Sequence, residues 1–222
     1  MEITTVHLVR HGEVDNPEGV LYGRRPGFHL TALGREMAQG LAEAFKERDV
    51  RLVVASPLER AQETATPTAQ AFGLELGSNP DLIEADNFFE GVQVNNNRWI
   101  LAHPRYWSWY KNPFAPSWGE PYPEVVARMS RAVKNALVAA RGGEAVLVSH
   151  QLPIWTMRRF VERKSLAHDP RKRECSLASV TSLTFADDQL IAWDYWEPVA
   201  HLLTQAADMV PGTSEAQTKS SK

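Results

Sequence analysis

The amino-acid sequence predicts an α/β protein, a three-layer α/β/α sandwich with a mostly parallel central sheet. Short aliphatic runs alternate along the chain with longer segments whose apolar residues recur at helical spacing, the pattern of strand–helix–strand units. The aliphatic runs lack polar alternation, as do strands that are buried on both faces. With 222 residues the chain can bury a substantial core, and we predict one domain over residues 1–203.

The first strand is predicted over residues 6–9, Val-His-Leu-Val, because this apolar run is short and continuous. A helix follows from Thr31, whose hydroxyl suits an N-cap. The apolar face of that helix is made by residues that recur every four positions: Leu33, Met37, Leu41 and Phe45. The second strand is predicted over Val50–Ala55.

The second helix is predicted to begin in a Ser-Pro-Leu-Glu segment directly after this strand. Ser56 suits the N-cap, Pro57 the first helical position, and Glu59 would close a capping box. A third helix is predicted before Gly142-Gly143, because apolar residues again recur at helical spacing: Val125, Met129, Val133, Ala136 and Leu137.

The last part of the chain predicts a third parallel strand, a helix and a hairpin. Residues 145–148 are nearly all aliphatic, as a buried parallel strand should be. Pro153 is predicted to open a helix that runs to Glu162. Residues 179–185 and Gln189–Trp196 alternate in polarity around an Asp-Asp pair, which predicts a hairpin at an edge of the sheet.

Residues 84–122 form an aromatic-rich insertion in this pattern. They hold ten of the chain's twenty aromatic residues together with four prolines, which argues against regular structure. Two interpretations are open: a cap that excludes water from a pocket and selects the substrate, or a hydrophobic cluster beneath a long loop. Residues 204–222 are small and polar, and we predict a disordered tail there.

Composition constrains what the protein binds. The net charge of −3 gives no sign of nucleic-acid or anionic-membrane binding. No apolar run is long enough for a membrane span, and the single cysteine, Cys175, cannot form an intramolecular disulfide. We therefore expect a cytoplasmic protein that acts on a small molecule, binds neither nucleic acid nor membrane, and exists as a monomer or a homodimer.

Chemically capable side chains follow directly after the three predicted parallel strands. Arg10, His11 and Gly12 follow the first strand, Arg60 lies one turn into the helix after the second, and His150 follows the third. The carboxyl ends of parallel strands meet at one edge of a sheet. Taken singly, the arginines could form surface ion pairs and the histidines core hydrogen bonds. Together they favour a pocket for a tetrahedral dianion, because the guanidinium fork matches phosphate oxygens.

Five ordered segments carry a family resemblance: LVRHGE at 8–13, LTALGR at 30–35, SPLERAQETA at 56–65, LIE at 82–84 with EG at 90–91, and VLVSH at 146–150. In these segments the chain resembles the histidine phosphatase superfamily, in its phosphoglycerate-mutase-like branch. The resemblance covers about residues 3–197. It implies that His11 is the nucleophile, that Arg10, Arg60 and His150 form the phosphate pocket, and that Glu84 is the proton donor.

Two positions depart from the family pattern, and two loop residues extend the predicted site. The family often has an asparagine six residues after the nucleophile, where this chain has Pro17, and Asn16 is the neighbouring substitute. The residue after the second histidine is often glycine in the family and is Gln151 here. We include Asn16 and Gln151, with Gly23 and Arg24 of the first loop, as expected substrate contacts.

The resemblance implies hydrolysis of a small phosphomonoester through a phosphohistidine intermediate on His11, with no metal and no cofactor. Two arginines and a protonated His150 would stabilise the transferring phosphoryl group. Glu84 would donate a proton to the leaving oxygen and then activate water, while Glu13 and Glu90 are rival carboxylates for this role. The other histidines show no metal-ligand spacing such as His-Glu-x-x-His.

Two other functions stay open as alternatives. A phosphoglycerate mutase would return the phosphoryl group to its substrate. Mutases of this family carry a Glu-Arg-x-Tyr-Gly motif after the acid, and residues 86–97 contain none, which favours hydrolysis. The second alternative is a catalytically weak phosphate-binding interaction module, and the complete set of catalytic residues argues against it.

Overall fold

A computed structural model describes residues 1–92 and 119–206 of the chain. In this part the chain forms one sheet of six strands. The strands are β1 (Ile3–Arg10), β2 (Val50–Ala55), β3 (Leu76–Ser78), β4 (Glu144–Ser149), β5 (Val180–Ala186) and β6 (Gln189–Trp196). The helices are α1 (Ala32–Phe45), α2 (Glu59–Ala71), α3 (Tyr122–Ala139), α4 (Gln151–Val161) and α5 (Ala200–Leu203), with short 3₁₀ turns at Pro80–Leu82 and Pro170–Lys172.

The sheet is mostly parallel, as predicted. Its strand order is β3-β2-β4-β1-β5-β6, with parallel pairing from β3 through β1 and antiparallel pairing of β5 to β1 and of β6 to β5. The predicted edge hairpin is confirmed. Its turn contains Asp187 at φ +51°, a left-handed conformation that aspartate tolerates better than most residues.

Two apolar layers cover the two faces of the sheet and confirm the three-layer architecture. Along β4, Ala145 and Leu147 enter the cluster that contains apolar residues of α3 and α4. The alternate residues Val146 and Val148 enter the cluster that contains apolar residues of α1, α2 and α5. Because both faces are buried, every residue of the strand from Ala145 to Val148 can be aliphatic.

Two predicted helix starts are wrong, whereas a third is confirmed. The hydroxyl of Thr31 accepts a hydrogen bond from Gly34 N at 2.9 Å and caps α1 as expected. Helix α2 begins at Glu59 with Leu58 as its N-cap residue and has no side-chain cap, so Ser56 and Pro57 lie before the helix. The Ser56 hydroxyl lies 2.8 Å from His150 Nε2 and accepts from the amide of Leu58, the residue before α2, at 3.4 Å.

The predicted start of α4 at Pro153 is late by two residues, because α4 begins at Gln151. His150 is its N-cap residue in an extended conformation, which places Pro153 within the first turn. An amide N–H has no intrahelical partner in that turn, so proline is tolerated there. The strand β3 was not predicted, since its three residues form too short a run to show a period.

Two predictions fall largely on residues outside the described ranges. The aromatic-rich insertion at 84–122 includes residues 93–118, and the tail at 204–222 includes residues 207–222, none of which the structure describes. At the base of the insertion, Asn87 and Gly119 form an isolated antiparallel bridge. Among the described helices, none combines the length and the apolar character that a membrane crossing requires.

Candidate active site

Three neighbouring strands bring the predicted catalytic residues to one edge of the sheet. At the end of β1, the amide of His11 donates to Ser149 O at 3.1 Å. At the end of β2, the amide of Ser56 donates to Val148 O at 2.9 Å. Both contacts are to β4, whose next residue is His150. The rings of His11 and His150 therefore become neighbours, with centroids 5.2 Å apart.

His11 is held as a neutral imidazole with one defined tautomer. Its Nδ1 lies 2.8 Å from Gly12 O, and since a carbonyl only accepts, Nδ1 carries the proton. The unprotonated atom is consequently Nε2. Burial, Arg60 and Arg10, in that order, hold the pKa of His11 well below its ordinary value. These are the properties required of a nitrogen nucleophile at neutral pH.

Gly12 permits close packing beside His11. A Cβ atom at Gly12 would lie 2.7 Å from the carbonyl oxygen of Gly34, so a larger residue would push β1 away from α1. The Gly12 amide donates to Thr64 Oγ1 at 3.0 Å, and that hydroxyl donates to Arg60 O at 2.7 Å. The same contacts therefore tie the His11 backbone to the helix that carries Arg60.

Arg10 and Arg60 are buried cations fixed by backbone carbonyls. Arg10 Nη1 donates to Cys175 O at 2.6 Å, and Arg60 Nη2 donates to Gly23 O at 2.5 Å. Arg60 is 0% exposed, and its guanidinium lies 4.7 Å from the ring centroid of Tyr22. Burial lowers the pKa of Arg60, yet an arginine keeps its charge near neutral pH. Both cations are thus held in place before any ligand binds.

Several buried side-chain nitrogen atoms of Arg10, Arg60 and His150 have no hydrogen-bond partner in the described part of the chain. They are Arg10 Nε, Arg60 Nε, Arg60 Nη1 and His150 Nδ1. Buried polar atoms in folded proteins are nearly always paired. Unpaired nitrogen atoms on three side chains around His11 are typical of a preformed site for an oxyanion.

His150 is buried among positive charges. Burial, Arg60 and His11 hold its pKa well below the ordinary value, which favours the neutral ring before an anion binds; its protonation during phosphoryl transfer stays a prediction. The physical reasons are burial and the surrounding positive charge. His150 Nε2 lies 2.8 Å from Ser56 Oγ. If Ser56 donates there, Nδ1 carries the proton and is the donor available to an anion.

Glu84 follows the 3₁₀ turn Pro80–Leu82 and is half-buried. Burial raises the pKa of its carboxyl group, while the Ala85 amide and then Arg60 oppose that rise. The Ala85 amide donates to Glu84 Oε1 at 2.8 Å. A carboxyl group with a raised pKa, close enough to Arg60 for their charges to interact, can hold a proton at the edge of an anion site.

Glu13 and Glu90, the two alternatives to Glu84 as the proton donor, form hydrogen bonds that support nearby backbone segments. Glu13 Oε2 accepts a hydrogen bond from Thr31 Oγ1 at 2.5 Å and so supports the N-cap of α1. Glu90 Oε1 accepts from the Arg24 amide at 2.8 Å. Burial raises the pKa of Glu90 as well, but this oxygen is committed to the backbone of the first loop. Of the three carboxylates, Glu84 therefore fits the role of the acid best.

The predicted loop residues Gly23 and Arg24 lie beside the site. Gly23 has φ +43°, and a Cβ there would lie 2.0 Å from Glu90 Oε1, so the position requires glycine. Arg24 Nε donates to Glu84 O at 2.7 Å, and Arg24 Nη2 donates to Glu120 Oε2 at 2.9 Å. The contacts of Arg24 thus hold the backbone of Glu84.

Asn16 and Gln151, the two departures from the family pattern, occupy different places. Asn16 Nδ2 donates to Val20 O at 2.8 Å and its Oδ1 accepts from Val20 N at 3.2 Å, so both polar ends of the side chain hold the loop 16–20. Gln151 is the first residue of α4 and is buried, 8% exposed, directly after His150. Gln151 adjoins His150 in the chain, whereas the Asn16 amide group contacts the backbone of its own loop.

Two residues near the site, Tyr22 and Arg173, are not among the site residues that the sequence predicts. Tyr22 packs against both His11, at 6.4 Å between ring centroids, and Arg60. Arg173 lies close enough to Glu84 and Arg10 for both charges to act on the pKa of Arg173, and Arg173 in turn acts on the pKa of Glu84. Tyr22 precedes Gly23, which the sequence predicts as a substrate contact. That neighbour is the one feature of the sequence that could have pointed to Tyr22. Arg173 lies in no motif, and nothing local marks it.

Residues 6–196 match the family model described as histidine phosphatase superfamily (branch 1). An uncharacterized protein of Mycobacterium tuberculosis, Rv0525, is 53% identical over 199 residues, which cover 90% of this chain and 98% of that protein. A protein of Escherichia fergusonii named as a probable phosphoglycerate mutase, GpmB, is 29% identical over 193 residues, covering 79% of this chain and 83% of that protein.

Among solved structures, the mycobacterial glucosyl-3-phosphoglycerate phosphatase Rv2419c is similar at a TM-score of 0.68 with 27% identity. The match covers 87% of this chain and 97% of that one. The family match begins within β1, ends with β6 and therefore includes every predicted catalytic residue. The chain belongs to branch 1 of the histidine phosphatase superfamily.

Proposed function

We propose that the protein is a phosphatase that hydrolyses a small phosphomonoester through a phosphohistidine intermediate on His11. The observation that carries this proposal is the juxtaposition of a neutral, tautomerically fixed His11 with the unpaired buried donors of Arg10, Arg60 and His150. A nucleophile beside preorganised donors for an oxyanion supplies both requirements of phosphoryl transfer.

In the first step, His11 Nε2 attacks phosphorus in line with the ester oxygen. The N–P bond forms as the P–O bond to the leaving group breaks, and the proton of the Glu84 carboxyl group passes to the leaving oxygen. In the second step, the Glu84 carboxylate takes a proton from water, whose oxygen attacks phosphorus as the N–P bond breaks. Inorganic phosphate leaves, and Glu84 and His11 return to their first states.

The charge of the phosphoryl group is matched by side chains of this site. Arg10 and Arg60 supply two positive charges, and buried guanidinium groups act strongly on an anion because little water screens them. A bound dianion reverses the local charge around His150, which favours the protonated ring or a donated Nδ1–H. This charge complement supports a reaction that proceeds without a metal ion.

The names of the relatives support a reaction that transfers a phosphoryl group, either to water, as in a phosphatase, or back to the substrate, as in a mutase. GpmB is named as a mutase and Rv2419c as a phosphatase. The absence of the mutase motif from residues 86–97 favours hydrolysis in this chain. A mutase is the second candidate because a relative carries that name.

A phosphate-release screen tests the proposal. We expect the wild-type protein to release phosphate from some members of a panel of sugar phosphates, phosphoglycerates, nucleotides and p-nitrophenyl phosphate, and His11→Ala to abolish release. The matched control is His201→Ala, which changes an exposed histidine on α5. Isomerisation of 3-phosphoglycerate with negligible phosphate release would instead establish the mutase, and activity unaffected by His11→Ala would overturn both candidates.

A further inference from the structure

Residues 173–175 form a short segment that is fixed along one side of the site. The Cys175 carbonyl accepts the hydrogen bond from Arg10 Nη1. The Glu174 carboxylate accepts from Arg158 Nη2 at 2.7 Å. Arg173 Nε donates to His168 Nε2 at 2.9 Å. Each residue of the segment is therefore held by its own hydrogen bond. Arg173 lies two residues before Cys175, whose carbonyl holds Arg10.

His168 acts as a neutral acceptor for Arg173. Its Nδ1 donates to Leu166 O at 2.7 Å, which leaves the lone pair on Nε2 for the Arg173 N–H. Burial, followed by Arg173, lowers the pKa of His168 to about 4, so the ring stays neutral near neutral pH. Tyr122 and Trp155 pack on it, with ring centroids at 5.3 and 6.1 Å. The acceptor is thus rigid.

Arg173 carries a positive charge that no carboxylate in the described part of the chain pairs with directly. Nearby Arg158 forms ion pairs with Glu162 and Glu174. No ion pair among the described residues includes Arg173. The groups whose charges act on Arg173 include Glu84 and Arg10 of the active site. Arg173 is half-buried, where an uncompensated charge is costly.

A count of charges indicates what Arg173 can bind. A phosphate dianion is balanced by Arg10 and Arg60, and Glu84 is neutral when it acts as the acid. Arg173, whose charge acts on Glu84, then adds a positive charge that the phosphate does not balance, near the position of the leaving group that Glu84 protonates. A single carboxylate matches one guanidinium in both charge and shape.

We propose that Arg173, positioned by His168, is a specificity residue that binds a carboxylate on the leaving group of the substrate. The preferred substrates are accordingly phosphomonoesters of small hydroxy acids. This inference rests on the proposed function for the identity of the phosphate site, but the binding of a second anion can be measured without turnover.

The test compares two ligands that differ in one group, 3-phosphoglycerate and glycerol 3-phosphate, which has a hydroxymethyl group in place of the carboxylate. Binding of each is measured by calorimetry to the His11→Ala variant, and again after adding Arg173→Met. The control is Arg141→Met, because Arg141 is exposed and precedes β4, at the opposite end of the strand from the site. We expect Arg173→Met to weaken 3-phosphoglycerate about tenfold or more, with glycerol 3-phosphate and the control changed less than about twofold.

His168 provides a separate check of positioning. His168→Leu removes the acceptor and should reproduce the selective loss, whereas His168→Gln keeps an acceptor oxygen and should restore part of it. An equal loss for both ligands in Arg173→Met would show that Arg173 serves the phosphate and would overturn the proposal. So would unchanged binding of both ligands. Failure of the proposed function has a different signature: no phosphate release from p-nitrophenyl phosphate by the wild-type protein.

Discussion

The hydroxyl of Ser56 lies 2.8 Å from Nε2 of His150, so a residue at the end of β2 orients an imidazole at the end of β4. The same hydroxyl oxygen lies 3.4 Å from the Leu58 amide nitrogen, which donates to it. A Ser56 oxygen that accepts from Leu58 is free to donate its proton to His150. That arrangement places the His150 proton on Nδ1, the buried atom without a partner in the described residues.

Ser56→Ala should therefore weaken the phosphate site without removing any charged group. We expect kcat/KM for p-nitrophenyl phosphate to fall about tenfold, the cost of one buried hydrogen bond, and Ser56→Thr to retain most of the activity because it keeps the hydroxyl. Steady-state kinetics of the two variants provide the measurement. Equal losses in both variants would argue that packing at Ser56, rather than its hydroxyl, supports His150.

Glu84→Gln should reduce turnover according to the leaving group. Alkoxides are strongly basic and need a proton as they depart, so alkyl phosphates should lose about 100-fold or more. The p-nitrophenolate ion leaves without help, and its first step should be little affected. The comparison is made on the burst of p-nitrophenol against phosphate release from an alkyl phosphate. Equal losses would remove Glu84 from the role of acid.

The pH dependence of kcat/KM follows from the two pKa shifts. The pKa of His11 is lowered, so the acid limb, where protonation removes the nucleophile, should lie below the ordinary histidine range. The pKa of Glu84 is raised, so the alkaline limb, where the acid loses its proton, should lie above the ordinary carboxyl range. The ratio of wild-type to Glu84→Gln rates cancels the substrate's own ionisation. That ratio should fall as the pH rises, and a flat ratio would contradict the assignment.

Buried neutral histidines also make folding depend on pH. His150 has a folded pKa below its unfolded value, so the unfolded chain binds the proton more readily and the folded state loses stability as the pH falls below about 6.5. Relative to His150→Gln, the wild-type protein should lose about 1.4 kcal/mol between about pH 7.5 and about pH 5.5. Urea denaturation at both pH values measures the difference. No relative change would mean that the pKa of His150 is the same in the folded and unfolded chains, which would contradict the lowered folded pKa.

The charge-matched site also predicts how inhibitors act. Vanadate, which adopts a five-coordinate geometry like that of the transferring phosphoryl group, should inhibit strongly, because it reproduces the charge distribution that Arg10 and Arg60 stabilise. Treatment with EDTA should leave phosphate release unchanged. Loss of activity in EDTA that a divalent metal ion restores would show that the arginines are not sufficient.

Much of the fold and the centre of the site could be predicted from the sequence because their signals are local. Val50–Ala55 is apolar apart from Arg51, and Thr31 is followed by a clear helical period, so both elements are confirmed. His11 and Arg60 lie within a few residues of strand ends, and the rule that parallel strands share a carboxyl edge places them together.

What could not be predicted depends on partners far away in the chain. The hydrogen bond between Ser56 and His150 joins residues 94 positions apart. Arg173 joins the site through His168 and the packing beneath it, and no local pattern marks either residue. The protonation state of His150 depends on the combined charge of Arg60 and its neighbours, which composition does not reveal.

The central claim is that phosphorus is transferred to His11, and isolation of the phosphoenzyme tests it most directly. Wild-type protein is mixed with a substrate labelled in its phosphoryl group, quenched rapidly in alkali and digested. The account predicts label on the peptide that contains His11, stable in alkali and released by acid, as expected of a phosphoramidate, and absent in His11→Ala. Label on another residue, or an acid-stable linkage, would contradict the account.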